Sequence, residues 1–292
     1  MTLHDHVSRA SEQLVQAGVA IPEARNDAEL LARHVLGWDR ATYLSRQREL
    51  APLSFNKVFV SLLDRRTRRE PVSLITEKRE FWGLSFEVAR GVLTPRQETE
   101  LIVETSRNLL RDYLDAPLSI ADVGTGSGCL AVSLATEFQR ALVSAIDISH
   151  TATILAKRNT QIHCVDDRVS VIETGFSEFL RKQLTSFDLI VANLPYIPTS
   201  DTERLPPEVR LYEPHSALDG GPDGLVVLRQ LISLIPTCLK KTGHLIVEIG
   251  IRQDIELGKI IESTPGIELV EFCADLQGIL RTAVIKPVAR KV

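Results

Sequence analysis

Three places in the second half of the chain combine residue types suited to ligand binding and group transfer. The first is the loop 122–128, Asp-Val-Gly-Thr-Gly-Ser-Gly, in which glycine alternates with other residues. The second is Asp147, 19 residues beyond the last of these glycines, and the third is the tetrapeptide 193–196, Asn-Leu-Pro-Tyr. Each place follows an apolar run typical of a buried strand, and ligands bind parallel sheets at the carboxyl ends of the strands.

The glycine loop predicts a close approach of the backbone to a ligand. Its glycines permit a sharp turn, and the apolar helix that follows presents free backbone N–H groups at its start. A dinucleotide fingerprint would require Gly or Ala at position 129, where the chain has Cys129, so the spacing disfavours nicotinamide without excluding it. The loop residues assigned to the ligand are Gly124, Thr125, Gly126, Ser127 and Gly128.

Asp147 ends the second predicted strand of the sheet. A carboxylate at this position is able to accept both ribose hydroxyls of an adenosine-containing ligand. The alternative is that it caps the next helix, but Ser149 is already well suited to that role. The glycine loop and Asp147 together favour an adenosine site.

The tetrapeptide 193–196 predicts a socket for a planar –NH2 group. Asn193 offers an amide carbonyl and Leu194 a backbone carbonyl, which together accept the two hydrogens of such a group. Pro195 stiffens the loop and removes a competing donor, and Tyr196 offers a flat face for stacking. A plain β-turn with a surface tyrosine is the alternative, and the place beside the glycine loop favours the socket.

The elements that position these residues follow from periodicity. Residues 1–79 show helical spacing and predict a small helical bundle, while residues 80–95, with glycines at two turns, predict a β-hairpin linker. In residues 96–292, strand-like and helix-like stretches alternate, which predicts a mostly parallel sheet with helices on both faces and one antiparallel strand at the end. The predicted strands are 118–123, 141–147, 168–173, 187–192, 244–249, 267–273 and 279–286.

Composition and charge limit the classes of protein. The chain has 292 residues, of which 44% are hydrophobic and 25% charged, and this excludes a disordered or collagen-like chain. Residues 1–80 carry 13 Lys and Arg against 11 Asp and Glu, whereas residues 81–292 carry 21 against 27. An acidic second half disfavours a nucleic-acid substrate, which would require a basic groove. No apolar run approaches the roughly 18–20 residues that span a bilayer.

The cysteines and the N-terminus indicate the compartment. Cys129, Cys164, Cys238 and Cys273 are widely spaced and lie in or beside apolar stretches, so we expect four small buried side chains and no metal site. The first residues lack the basic region and apolar stretch of a secretory signal. A reducing cytoplasm is the expected location.

Three charged features outside these places receive structural interpretations. The run 65–69, Arg-Arg-Thr-Arg-Arg, predicts a solvated helix end rather than a nucleic-acid site. Glu248 lies in an otherwise apolar strand and is expected to be hydrogen-bonded inside the protein. Glu98 and Glu100 suit the first turn of a helix, and no catalytic role is assigned to them.

The glycine loop, Asp147 and the Asn-x-Pro-Tyr tetrapeptide resemble the Rossmann-like methyltransferases that use S-adenosyl-L-methionine and methylate planar amide or amino nitrogens. Segments 80–86, 93–100 and 213–225 are similar to those of the HemK/PrmC family, protein-(glutamine-N5) methyltransferases that act on peptide-chain release factors. The helical segment around residues 25–31 resembles the substrate-recruiting domain of that family. The resemblance covers nearly the whole chain.

The resemblance implies a Rossmann-like, seven-stranded class I methyltransferase domain (96–292) after a helical domain (1–79) and a hairpin linker (80–95). It implies methyl transfer to the N5 nitrogen of the glutamine in the Gly-Gly-Gln motif of release factors by a cytoplasmic monomer that needs neither membrane nor nucleic acid. It also implies catalytic roles for residues 193–196 and a cofactor site that includes Asn193. Phe176 stands where the family contacts adenine, and it either stacks on that ring or belongs to the core.

One departure from the family concerns the socket, and it bears on the function. The family usually has Pro where this chain has Leu194, but the backbone carbonyl is retained. Asn-Leu-Pro-Tyr also occurs in rRNA adenine dimethyltransferases, which keeps N6-adenine methylation of RNA or DNA open. A glutamine methyltransferase that acts on a ribosomal protein and a non-catalytic adenosine-binding module remain open as well.

Overall fold

The computed structural model describes residues 1–288, which divide into two compact units. The helical unit comprises Met1–Lys78 together with Pro206–Tyr212, and the sheet unit comprises Arg79–Leu205 and the described residues from Glu213 onward. The hairpin predicted as a separate linker clusters with the sheet unit. The last four residues of the predicted domain 96–292 lie outside the described residues.

The described residues contain the following elements. The helices are α1 (Leu3–Gln16), α2 (Ile21–Leu36), α3 (Arg40–Arg46), α4 (Phe55–Thr67), α5 (Val72–Thr76), α6 (Glu100–Leu109), α7 (Cys129–Glu137), α8 (His150–Ile162), α9 (Phe176–Arg181), α10 (Pro207–Arg210), α11 (Val226–Cys238) and α12 (Asp254–Ser263). The strands are β1 (Lys78–Phe81), β2 (Leu84–Glu87), β3 (Ser119–Val123), β4 (Leu142–Asp147), β5 (Val169–Glu173), β6 (Phe187–Ala192), β7 (Leu239–Glu248), β8 (Ile267–Ala274) and β9 (Leu280–Pro287). Within this described part, each helix is too short or too polar to cross a membrane.

The helical unit is a small bundle stabilised by an apolar core. Thr2 and Asp5 form reciprocal caps at the start of α1, and Pro22 lies in the first turn of α2, as its sequence position predicts. The rings of Phe55 and Phe59 on α4 stack with 4.8 Å between centroids and are buried in this core. The apolar faces of these helices therefore pack together, as the periodicity predicts.

The arginine run at the end of α4 is not a solvated helix end, so that prediction is wrong. Arg66 is only 3% exposed and donates to Asp27 Oδ2 at 2.7 Å and to Glu208 Oε1 at 2.9 Å. Arg69 donates to both carboxylate oxygens of Glu208, at 2.7 and 2.8 Å. Glu208 is in the segment 206–212, so these ion pairs hold that segment within the helical unit.

Removing the carboxylate of Glu208 should destabilise the helical unit. The variant Glu208→Gln leaves Arg66 buried with one anionic partner instead of two, and we expect a loss of about 2–3 kcal/mol in the free energy of unfolding. Hydrogen exchange of the α2 and α4 amides in the full chain measures the loss. Glu49→Gln is the control, because the Glu49 ion pair with Arg46 is half-exposed, and it should leave protection almost unchanged.

The sheet unit is built on a seven-stranded sheet in the order β5-β4-β3-β6-β7-β9-β8. Strands β3 to β7 pair in parallel, and β9 is antiparallel to both of its neighbours, β7 and β8. The predicted seven strands and single antiparallel strand are thus confirmed, but β9 inserts between β7 and β8. The chain moves from β3 outward to β5 and then returns to β6 on the other side of β3, which creates the topological switch point.

Two boundaries differ from the prediction. Strand β7 begins at Leu239 rather than at residue 244, because Leu239 already pairs with Phe187 of β6. The hairpin is complete at residue 87, and residues 91–93 form no strand. Its turn is Trp82-Gly83, with φ of 52° and 69°, the positive values that a tight two-residue hairpin requires.

The cysteines only partly meet the expectation of four buried thiols. Cys129 and Cys238 are buried, Cys273 is half-buried and Cys164 is exposed. Cys164 follows the end of α8 with φ of 53°, in a turn at the surface, so its apolar neighbours in sequence did not imply burial.

Candidate active site

The site lies where β3 and β6 end side by side. Val123, the last residue of β3, is in register with Ala192, the last residue of β6, and with Ile146 of β4. The three loops singled out by the sequence therefore emerge from adjacent strands. They surround a cavity of about 410 Å³ in the sheet unit, a volume within the range of small-ligand sites.

The glycine loop contributes bare backbone to this cavity. All three glycines have positive φ, between 56° and 82°, a conformation that side-chain-bearing residues rarely adopt. Gly124 and Gly126 line the cavity. Gly128 instead faces α8, where an added Cβ would lie 3.2 Å from Ala156 Cα, so its lack of a side chain serves helix packing.

The buried carboxylate of Asp122 holds the glycine loop in place through hydrogen bonds. Thr125 Oγ1 donates to Asp122 Oδ2 at 2.6 Å, and the Ala131 N–H donates to the same oxygen at 3.1 Å. Its other oxygen, Oδ1, has no hydrogen-bond partner among the described residues. Burial raises the pKa of Asp122 to about 7, although the two donors act in the opposite direction.

The raised pKa of Asp122 predicts a specific pH dependence of stability. Because the folded state binds this proton more tightly than the unfolded state, its contribution is fully present below about pH 4 and is lost as the pH rises through about 7. Over this window, the wild-type free energy of unfolding should fall relative to that of Asp122→Asn by at least about 1.4 kcal/mol, the equivalent of one pKa unit.

Urea unfolding at several pH values between about 4 and 8 tests this prediction. Asp112→Asn is a suitable control, because the Asp112 side chain is 84% exposed. A difference between wild type and Asp122→Asn that stays constant with pH would contradict the assignment.

Two backbone N–H groups orient the Asp147 carboxylate. Its Oδ2 accepts the Gly126 N–H at 2.9 Å and its Oδ1 accepts the Ser149 N–H at 2.8 Å. Ser149 caps α8 by accepting the Ala152 N–H, as expected, so the Asp147 carboxylate is not used as the helix cap. Each carboxylate oxygen has a further lone pair for a ligand hydroxyl. The neighbouring Ile148 lines the cavity and is 80% exposed.

The tetrapeptide 193–196 places three of its residues in the cavity wall. Asn193, Leu194 and Pro195 line the cavity, and Asn193 donates from Nδ2 to Thr99 Oγ1 at 2.9 Å. Leu194 is buried against the glycine loop, where its Cδ2 lies 3.1 Å from the position of a Cβ on Gly124.

Tyr196 is not part of the cavity lining. Its hydroxyl donates to Glu248 Oε1 at 3.1 Å, and its backbone carbonyl accepts a hydrogen bond from Gln253 Nε2 at 2.9 Å. Both ends of this residue are therefore fixed by hydrogen bonds. Stacking of a substrate on its ring stays a prediction.

Glu248 is buried and hydrogen-bonded, as its place in an apolar strand predicts. It is 3% exposed, and its Oε2 accepts the Thr99 hydroxyl at 2.6 Å while its Oε1 accepts the Tyr196 hydroxyl. Burial raises its pKa because the two hydroxyls replace only part of the lost hydration. Its link to Thr99 connects it to Asn193.

The segment after the hairpin forms another wall of the cavity. Residues 91–96 line it, and the Arg96 guanidinium binds the buried Glu213 carboxylate at 2.5 Å. Glu100 accepts the Trp82 N–H at 3.0 Å and so stabilises the hairpin turn. The sequence predicted only a role for Glu100 at the start of a helix.

Most of the predicted site residues come together. Those that line the cavity are Gly124, Thr125, Gly126, Ser127, Asp147, Phe176, Asn193, Leu194 and Pro195. The predicted residues Gly128 and Tyr196 are not among the lining residues. Sequence reasoning assigned no site role to Thr99, Ile148 or Arg96, although Arg96 and Thr99 lie in the segment 93–100 that resembles the family.

Comparison with known proteins identifies relatives of both units. Two family models match the chain, the PrmC N-terminal domain over residues 5–76 and the methyltransferase small domain over residues 100–206. A release factor glutamine methyltransferase of Geobacter sulfurreducens is 43% identical over 234 residues, which cover 80% of this chain and 79% of that protein. Another, of Fusobacterium nucleatum, is 34% identical over 283 residues, which cover 97% and 78%.

A solved structure supports the fold independently. The crystal structure of the hMettl16 catalytic domain in complex with MAT2A 3′UTR hairpin 6 superposes with a TM-score of 0.55, covering 78% of this chain and 84% of that one. Its sequence is 18% identical, so the similarity concerns the fold and not the substrate.

Proposed function

Because this chain belongs to the release factor glutamine methyltransferase family, we propose that it methylates the N5 nitrogen of the glutamine in the Gly-Gly-Gln motif of peptide-chain release factors. The observation that carries the proposal is the place of Asn193, in the cavity wall beside the glycine loop at the switch point of the sheet. The relatives supply the substrate class, and the tetrapeptide supplies acceptors for an amide –NH2.

The methyl donor is S-adenosyl-L-methionine, and the residues of the cavity fit it. The Asp147 carboxylate, oriented by two backbone N–H groups, suits the two ribose hydroxyls. The space beside Gly126 leaves room for the donor, since an added Cβ would meet only Val92 Cγ1 at 3.8 Å and the Gly124 carbonyl oxygen at 4.0 Å. Ile148 and Phe176 offer apolar surface in the same wall for the adenine ring.

The main catalytic task of the protein is to position the substrate amide nitrogen. When bound, the donor supplies a methyl group activated by a sulfonium. The glutamine amide nitrogen is a weak nucleophile, because its lone pair is delocalised into the carbonyl. We assign Asn193 Oδ1 to accept one amide hydrogen and the Leu194 carbonyl to accept the other. These two acceptors orient the nitrogen and stabilise the positive charge that develops on it.

Pro195 and Tyr196 complete this assignment. Pro195 restricts the backbone that carries the Leu194 carbonyl, and Tyr196 limits the drift of the amide plane by stacking. No general base is required before transfer, because the surplus proton leaves the nitrogen afterwards. We also propose that the enzyme acts as a cytoplasmic monomer that needs neither a membrane nor a nucleic-acid partner.

Truncating Asn193 should separate turnover from donor binding. In Asn193→Ala, kcat should fall by about 10²–10³-fold, the scale seen when one preorganised hydrogen bond to a developing charge is lost. The Kd of the donor, measured by calorimetry, should stay within about threefold. Asp147→Ala provides the reciprocal control, because it should weaken donor binding first. Near-normal turnover of Asn193→Ala would refute the role assigned to this amide.

Mass spectrometry of the product tests the function itself. Purified release factors are incubated with the enzyme and isotopically labelled donor, and we expect the Gly-Gly-Gln glutamine to gain the mass of one labelled methyl group in exchange for hydrogen. Ribosomal proteins and rRNA are treated in parallel. Label on either of these, with none on release factors, would replace the proposal with the corresponding substrate.

A further inference from the structure

We propose that Thr99 and Glu248 are positioning residues that determine which atom of the Asn193 side-chain amide faces the substrate. The proposal rests on the function proposed above and extends it to two residues outside the tetrapeptide. Neither residue acts on the methyl group. Their effect is exerted through the orientation of Asn193.

A continuous chain of hydrogen bonds joins the three side chains. Glu248 Oε2 accepts the Thr99 hydroxyl at 2.6 Å, and Thr99 Oγ1 accepts Asn193 Nδ2 at 2.9 Å. Thr99 is 2% exposed and Glu248 is 3% exposed, so water does not compete for these bonds. Asn193 and Thr99 line the cavity, whereas Glu248 is not among its lining residues.

Proton counting fixes the direction of each bond. When Glu248 is ionised, its carboxylate only accepts hydrogen bonds, so the single hydroxyl hydrogen of Thr99 is committed to it. The Thr99 oxygen then has only lone pairs left for Asn193. The amide must therefore turn its –NH2 toward Thr99 and its carbonyl oxygen toward the cavity, because the opposite orientation would place two acceptors against each other.

This orientation is the one that the reaction requires. A substrate –NH2 group needs an acceptor, whereas a flipped Asn193 would present N–H hydrogens to N–H hydrogens. An asparagine amide is nearly symmetrical in shape, so packing alone does not distinguish its two orientations. The Glu248 carboxylate, acting through Thr99, distinguishes the two orientations. Glu248 lies at the end of β7, whereas Asn193 follows β6.

The same carboxylate also holds the far end of the tetrapeptide. Glu248 Oε1 accepts the Tyr196 hydroxyl at 3.1 Å, so its two oxygens fix one residue at each end of the socket. Glu248 ends β7 directly beside β6, since Val247 is in register with Ala192. Thr99 immediately precedes α6. The network therefore ties three separate parts of the sheet unit to one charge.

The test compares variants that alter hydrogen bonding at nearly constant volume. Thr99→Val removes the acceptor for Asn193, and Glu248→Gln introduces an amide whose N–H can reverse the bond to Thr99. Each should lower kcat by about 10–100-fold, with the KM for the release factor and the Kd of the donor within about threefold. Thr99→Ser, which retains the hydroxyl, should recover most of the kcat lost in Thr99→Val.

The double variant and a matched control distinguish positioning from packing. Because both residues act through one amide, Thr99→Val with Glu248→Gln should be no slower than about the worse single variant. Thr282→Val makes the same change at a buried threonine that is paired in register with Glu248. The Thr282 hydroxyl has no hydrogen-bond partner among residues 1–288. This control should retain wild-type kcat.

The outcomes separate this proposal from the proposed function. If wild type methylates release factors and both Thr99→Val and Glu248→Gln keep their kcat, the positioning role is overturned. It is also overturned if Thr99→Ser is as slow as Thr99→Val, if the loss lies in KM or donor Kd, or if Thr282→Val is equally slow. A wild-type enzyme without activity on release factors refutes the function instead. Should circular dichroism show that Thr99→Val is unfolded, Glu248→Gln decides.

Discussion

The parallel pairing of β3 with β6 is the constraint on which the site depends. It aligns the last residues of the two strands, Val123 and Ala192, so that the glycine loop and the tetrapeptide leave the sheet side by side. The chain separates these segments by about two further β–α units, and the return from β5 to β6 creates the gap between them. The donor that we assign to one loop and the amide that we assign to the other would thereby meet in one cavity.

Buried acids keep these two loops in place. Asp122 lies under the glycine loop and accepts from Thr125 and Ala131, while Glu248 accepts from Thr99 and Tyr196 beside the tetrapeptide. Burial raises the pKa of both acids, so each costs folding free energy near neutral pH. A cost of this kind is consistent with sites where rigid polar geometry matters more than stability.

Patterns of neighbouring residues predicted the helices, strands and loops that depend on interactions close in the sequence. Apolar runs located the seven strands, and the glycines and Asp147 at their ends located the cavity to which we assign the donor. The sequence did not reveal partners distant in the chain: Thr99 meets Asn193 across 94 residues, and Arg66 meets Glu208 across 142. Alternating glycines also do not show which way each one faces, and Gly128 faces α8 rather than the cavity.

At Leu194, where the family usually has proline, the backbone and the side chain have separate roles. The acceptor assigned to this position is the backbone carbonyl, which leucine supplies as well as proline. The leucine side chain is buried against Gly124. A Cβ added to Gly124 would lie only 3.1 Å from Leu194 Cδ2. A larger residue at 124 would therefore press on the Leu194 side chain, and it would also have to adopt the positive φ of 74° that glycine permits. Gly124 thus serves the packing of the neighbouring loop as well as the turn of its own.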